Sequence, residues 1–123
     1  MSALPEEPTA ATSRVDDVRS RMLSDAEAHE VADLFALLAD PTRTLILYAL
    51  LEAGELRVSE IAEAVDAGQS TVSHALRLLR TAGVVRQRRE GRHMAYRLDD
   101  AHVRLLLDLS LEHLREDGGH RRG

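Results

Sequence analysis

Cysteine is absent from this chain of 123 residues. Its absence removes disulfides, thiolate metal sites and cysteine nucleophiles together. Tryptophan is absent as well, and Phe35, Tyr48 and Tyr96 are the whole aromatic complement. A core must therefore be assembled from Leu, Val, Ala and Ile, a set that suits helices. No apolar run approaches the roughly 18–20 residues of a membrane span. No charged-then-apolar leader ends in a small-residue cleavage site, so the expected location is cytoplasmic. Lysine is missing too: all sixteen basic residues are arginine. Arginine forks phosphates and guanine edges, which is compatible with a nucleic-acid partner, although compositional bias produces the same count. The length allows one small domain and not two.

What is present is unevenly distributed. The net charge of −5 has the wrong sign for a polyanion binder. Residues 1–66 carry −9, residues 67–97 carry +6 and residues 98–123 carry −2. Seven arginines against the single acid Glu90, set inside an acidic chain, form the electrostatic footprint expected for a polyanion.

Residues 1–12 are Pro-rich, acidic and unpatterned, and read as a disordered tail. Val15, Val18 and Met22 share a helical spacing over residues 13–23. Ser24-Asp25-Ala26-Glu27 is a capping-box pattern opening a second helix, with a stripe of Val31, Leu34, Phe35 and Leu38. Asp40-Pro41 starts a third helix, to about Glu52, whose Leu45, Ile46, Leu47, Leu50 and Leu51 predict a central core helix closed by Gly54. Val58 to Val65, the turn Asp66-Ala67-Gly68 and Gln69 to Ala82 then form a helix-turn-helix closed by Gly83. Two β-type runs, Val84–Arg89 and Arg92–Leu98, flank Glu90-Gly91 as a hairpin. Asp99 or Asp100 caps a last helix to about Glu116, apolar at Val103, Leu106, Leu107, Leu109, Leu111 and Leu114, and the tail from Gly118 to Gly123 is expected to fray. The fold class is thus mainly α with a small β-hairpin, on a winged helix-turn-helix plan.

A major groove accepts one α-helix that presents polar side chains near its N-terminus. With Val72, Leu76 and Leu79 facing the core, Gln69, Ser70, Thr71, Ser73, His74 and Arg77 remain for base edges and phosphates. His74 is also a candidate for capping or packing. The hairpin contributes Arg86, Arg88, Arg89, Arg92 and His93, of which Arg88, Arg89, Arg92 and His93 are the chosen contacts. The expected partner is double-stranded DNA, with no membrane and no small-molecule substrate.

Four stretches, Leu38-Ala39-Asp40-Pro41-Thr42-Arg43, Glu55 to Ala62, Gln69 to Leu76 and Arg89 to Tyr96, resemble the ArsR/SmtB family of bacterial winged-helix repressors. The resemblance covers roughly residues 25–117, and its S-x-V-S-H-x-L and G-R-x-x-x-Y elements are fairly specific. It implies a homodimer over residues 13–117, with a flexible tail over 118–123. It also implies operator binding without metal and release when metal binds. The Cys-Val-Cys motif of the arsenic- and cadmium-sensing members is missing, and Arg57 holds that place. No soft-metal or Cys-based redox sensing is therefore expected.

The last helix carries Asp100-x-His102 and His113-x-x-Glu116. Eleven residues separate the histidines, almost three whole turns, so both project from one face. They also lie about 16 Å apart along the axis, at about 1.5 Å per residue. Metal–ligand bonds are about 2 Å, so one helix cannot close the site, whereas two antiparallel copies can. This arrangement is similar to the last-helix site of the zinc-sensing members. The implied ligands are Asp100, His102, His113 and Glu116, a set suited to Zn2+ or Co2+ as effector. With His120 as a further ligand candidate, and His29 a weaker one, Ni2+ is an alternative. Each residue also has a plain reading: Asp100 as a helix cap, Glu116 as a solvated acid, the histidines as rim residues. The resemblance assigns His113 a further role, a hydrogen bond from its non-ligating nitrogen towards the helix-turn-helix.

Competing readings are a DNA-binding relative that ignores metal and a protein-interaction module. A metal-dependent hydrolase is disfavoured: there is no H-E-x-x-H, G-x-S-x-G or phosphate loop, and four ligands leave no open position.

Overall fold

Side chains that satisfy the free amides of the first turn set the starts of several helices in this chain. The structure, a computed structural model, describes the backbone of residues 10–122 and the side chains of residues 13–116. The tail expected to be disordered lies outside the described residues over positions 1–9, and so do Gly123 and the His120 side chain. The chain divides after Asp33 into two units.

In the first unit, α1 (Ala10–Arg21) begins three residues before the expected helix, at two strong helix formers. Met22 falls just past its end, and Val15 and Val18 are exposed. The capping box opens α2 (Asp25–Leu38) as the sequence predicts: the Ser24 amide donates to Glu27 Oε1 at 2.9 Å, and the Glu27 amide donates to Ser24 Oγ at 3.1 Å.

In the second unit, Leu34, Leu37 and Leu38 of α2 pack on the core, but Phe35 of the predicted stripe is 57% exposed. Asp40 caps α3 (Pro41–Ala53), accepting from the Arg43 amide at 2.9 Å. Ile46, Leu47 and Leu50 of α3 are fully buried, whereas Leu45, expected in the core, is 53% exposed. The helix-turn-helix is α4 (Val58–Val65) followed by α5 (Gln69–Thr81). Its turn is made by Asp66 in the left-handed conformation (φ 55°), while Gly68 stays extended. Aspartate is among the few L-residues that tolerate this region. A Schellman pair ends α5, with Gly83 N–H on the Arg80 carbonyl and Val84 N–H on the Leu79 carbonyl.

The predicted hairpin is β2 (Val85–Glu90) and β3 (His93–Leu98), with two corrections. Glu90 pairs with His93, so the turn is Gly91-Arg92 rather than Glu90-Gly91. Gly91 sits first in it at φ 62°, as a type II′ turn requires. A third strand, β1 (Leu56–Arg57), was not expected; it pairs antiparallel with β3 and gives the order β1-β3-β2.

The last helix, α6 (Ala101–Arg122), runs six residues past the expected end at Glu116, through Gly118-Gly119. Only Val103 and Leu107 among its described side chains are buried in the core; Leu105, Leu106, Leu109 and Leu114 are exposed. The Tyr48 hydroxyl of α3 donates to the Leu107 carbonyl at 2.9 Å, tying the two helices. Burial, then the nearby Asp108 carboxylate, raise the Tyr48 pKa above the usual phenol value. No single helix among the described residues is long and apolar enough to cross a membrane.

Candidate nucleic-acid interface and metal ligands

The first turn of α5 carries a row of exposed polar side chains. Val72, Ala75, Leu76 and Leu79 anchor the helix in the core. The opposite face presents Gln69, Ser70, Thr71, Ser73, His74 and Arg77, all exposed as the sequence predicts. The N-cap is Gly68, so no side chain occupies the first amides. Free amides at the positive end of a helix dipole favour phosphate oxygens.

The wing arginines divide into two groups. Strand pairing places Arg86, Arg88, Glu90, His93, Ala95, Arg97 and Arg57 on one face of the sheet. Val85, Gln87, Arg89, Met94, Tyr96 and Leu98 lie on the face that reaches the core. On the outer face, Arg88 forks onto Glu55: its Nε donates to Oε2 at 3.2 Å and an Nη donates to Oε1. The same Nη donates to Glu90 Oε2 at 2.9 Å. Arg86 pairs with Asp99 at 3.1 Å. Among the described residues, Arg89 and Arg92 make no ion pair. The structure thus brings Arg89, Arg92 and His93 to the wing surface uncommitted, and holds Arg88 in a clasp.

Hydrogen bonds from Arg88 lower the Glu55 pKa against an opposing desolvation cost, helped by the charges of Arg88 and Arg97. The sign follows directly. A carboxylate depressed in the folded state stabilises fully above its unfolded pKa, and loses that contribution as pH falls through the folded value. Glu55→Gln should therefore lower the urea midpoint at about pH 7. The difference from wild type should shrink as pH falls through the lowered Glu55 value and vanish below it; a difference that persists in full in acid refutes the assignment.

At the start of α6, Asp100 Oδ1 accepts from the amides of His102 (2.8 Å) and Val103 (3.2 Å), so Asp100 is a helix cap. Asp100 Oδ1 also lies 3.5 Å from His102 Nδ1, with the imidazole almost fully exposed. His113 and Glu116 are exposed near the other end of the described side chains. Among the described residues no three His, Asp or Glu side chains gather to hold an ion. The donor set nevertheless fits a borderline cation. Two imidazoles and two carboxylates are accessible, and Asp100 Oδ2 is left over from the cap.

Sequence reasoning missed Glu55 and β1. Glu55 meets Arg88 across 33 positions, which no local pattern encodes, and a two-residue strand carries no period to detect.

The model of the bacterial regulatory proteins of the arsR family matches residues 40–87, from the cap of α3 to the middle of β2. A transcriptional repressor SmtB homolog from Synechocystis is 37% identical over 92% of this chain and 85% of its own length. The chain belongs to the ArsR family. The crystal structure of AntR, an antimony-specific transcriptional repressor, aligns with this ArsR-family chain at TM-score 0.73 and 33% identity, covering 95% of it and 99% of AntR. A homodimeric winged helix-turn-helix DNA-binding domain from Mycobacterium bovis aligns at TM-score 0.69 and 32% identity, over 81% and 94% of the two chains. This ArsR-family chain is accordingly a transcriptional regulator with a winged helix-turn-helix fold, and not an enzyme.

Proposed function

We propose that the chain is a metal-responsive repressor that holds operator DNA as a metal-free homodimer and lets go when a divalent transition metal binds. Zn2+ is the preferred effector, with Co2+ and Ni2+ as alternatives. The observation that carries this reading is the division of α6. Asp100 and His102 stand at its start, His113 and Glu116 three turns on, with the exposed Leu105, Leu106, Leu109 and Leu114 on the same helix. Exposed leucines of this number on one helix favour burial against a second copy, and the similar Mycobacterium bovis domain is homodimeric. In an antiparallel pair, Asp100 and His102 of one protomer would share an ion with His113 and Glu116 of its partner. An ion held there supplies a fixed link between protomers. The likeness to the antimony-specific repressor AntR and to a cadmium resistance regulatory protein, a CadC homolog from Staphylococcus aureus, supports an inorganic effector, and the absence of any thiolate directs the choice to N/O donors.

The chain's own residues do the remaining work. Gln69, Ser70, Thr71, Ser73, His74 and Arg77 read and grip the groove, while Arg89, Arg92 and His93 of the wing engage the flanking backbone. Tyr48 joins α6 to the core helix next to α4 and α5, so a change in how two α6 helices pack reaches the reading heads.

Fluorescence anisotropy of the full chain on a duplex from its own upstream region tests this. Zn2+, Co2+ and Ni2+ are titrated in turn. Release of the duplex by at least one of them is expected, with apparent affinity falling by about 5–150-fold, the usual range of coupling between two sites. Tight binding that no metal changes would overturn the proposal.

A further inference from the structure

Between the helix-turn-helix and the wing lies a notch of about 370 Å³, with Arg57, Ser59, Gln69, Arg92, His93 and Tyr96 as its polar lining and Val58 and Met94 as its apolar part. Its walls come from the starts of α4 and α5 and from the turn end of β3. Arg57 belongs to none of the groups read above as DNA contacts. It is the N-cap of α4 and pairs across the sheet with Ala95. The Glu60 carboxylate is engaged by the Arg57 amide at 2.8 Å, while the Arg57 Nε lies 3.6 Å from the same oxygen. That ion pair is long and half-exposed, so the guanidinium keeps its remaining N–H groups for another acceptor.

We propose that this notch seats one phosphate of the DNA backbone, with Arg57 from the α4 wall and Arg92 from the wing wall as its cations. Ser59 adds a hydroxyl donor. The seat rests on the DNA-binding reading and adds residues to it: the strand that leaves the major groove past Gln69 passes between α4 and the turn. The chemistry is that of an anion. Two guanidiniums and an imidazole surround the space, and no carboxylate lines it. Sequence-independent contact of this type positions the protein without reading bases.

The test measures affinity of the full chain for operator and scrambled duplexes over a range of salt, by fluorescence anisotropy. Arg57→Gln should weaken both about equally, roughly tenfold, as loss of one charge-assisted contact does. The slope of log affinity against log salt should fall by about 0.9. Arg57→Lys, which keeps the charge, should recover the slope. Arg104→Gln, on α6 outside the notch, should match wild type. Circular dichroism melts check that each variant is folded, and Arg92→Gln reports on the same seat from the other wall. The double variant Arg57→Gln/Arg92→Gln should lose less or more than the product of the single losses, as two groups on one anion require. An unchanged slope in Arg57→Gln, with wild type binding normally, overturns the seat and leaves the DNA reading intact. Single losses that simply multiply overturn the shared phosphate. Failure of wild type to bind any duplex overturns both readings together.

Discussion

Wild type leaves its duplex as Zn2+ is added, and a His102→Ala variant stays bound at the same concentrations. This is the expected result if the α6 donors hold the effector. The coupling of about 1–3 kcal/mol should collapse towards zero in the variant, while affinity for DNA without metal is unchanged. Asp100 needs a different substitution. Its Oδ1 caps α6 through two amides, so Asp100→Ala removes a cap worth about 1 kcal/mol as well as a donor. Asp100→Asn keeps a capping oxygen and removes the carboxylate charge. Loss of metal release in Asp100→Asn at an unchanged melting temperature separates the two roles. Retention of full release in both His102→Ala and Asp100→Asn would remove these residues from the site. His113→Asn extends the test: coupling that survives intact while metal still binds would reject a transmitting role for His113. Reciprocity gives a second measurement on the same proteins, because DNA must weaken metal affinity by the same factor.

The second large effect is structural. Leu76→Ala should destabilise the chain by about 2–5 kcal/mol. Leu76 is fully buried between the helix-turn-helix and the core helix, where truncation removes methyl groups and leaves a cavity that close-packed neighbours fill poorly. The melting temperature should drop on the order of 10 °C, measured at fixed protein concentration because association shifts it. Leu45→Ala, on the same kind of helix but half-exposed, should cost far less in the same measurement. Equal losses at both positions would contradict the packing described.

These contrasts show what was legible in the sequence. The elements with side-chain punctuation were readable to the residue. The Ser24–Glu27 box, Asp40 and Gly83 set the ends of α2, α3 and α5, and α4 spans the predicted residues. The C-terminal end differs: Gly118-Gly119 reads as a stop, yet α6 passes through it to Arg122. The hairpin turn moved by one residue because either neighbour of Gly91 completes a two-residue loop, and strand register decides between them. Leu45 was read as core, and Phe35 and Leu109 as positions on an apolar face, and all three are exposed. Periodicity identifies an apolar face without saying what covers it. Arg88 was read as a DNA contact because its charge is local information, whereas its carboxylate partner Glu55 is far away in sequence. The family motifs, by contrast, sit in contiguous runs and were recognisable at once.

The sheet also decides where this molecule does not stick. An open strand edge is a template for pairing with another chain, and natural proteins blunt such edges with charge or with brevity. Both devices are present here. One edge is β1, only two residues long, and the other is β2, which carries three arginines in six positions. Both edges are thus poor templates for strand-to-strand growth. Under the proposed pairing of α6, self-association would run through the helical leucines, which can meet in a counted, self-limiting pair instead of an open-ended stack.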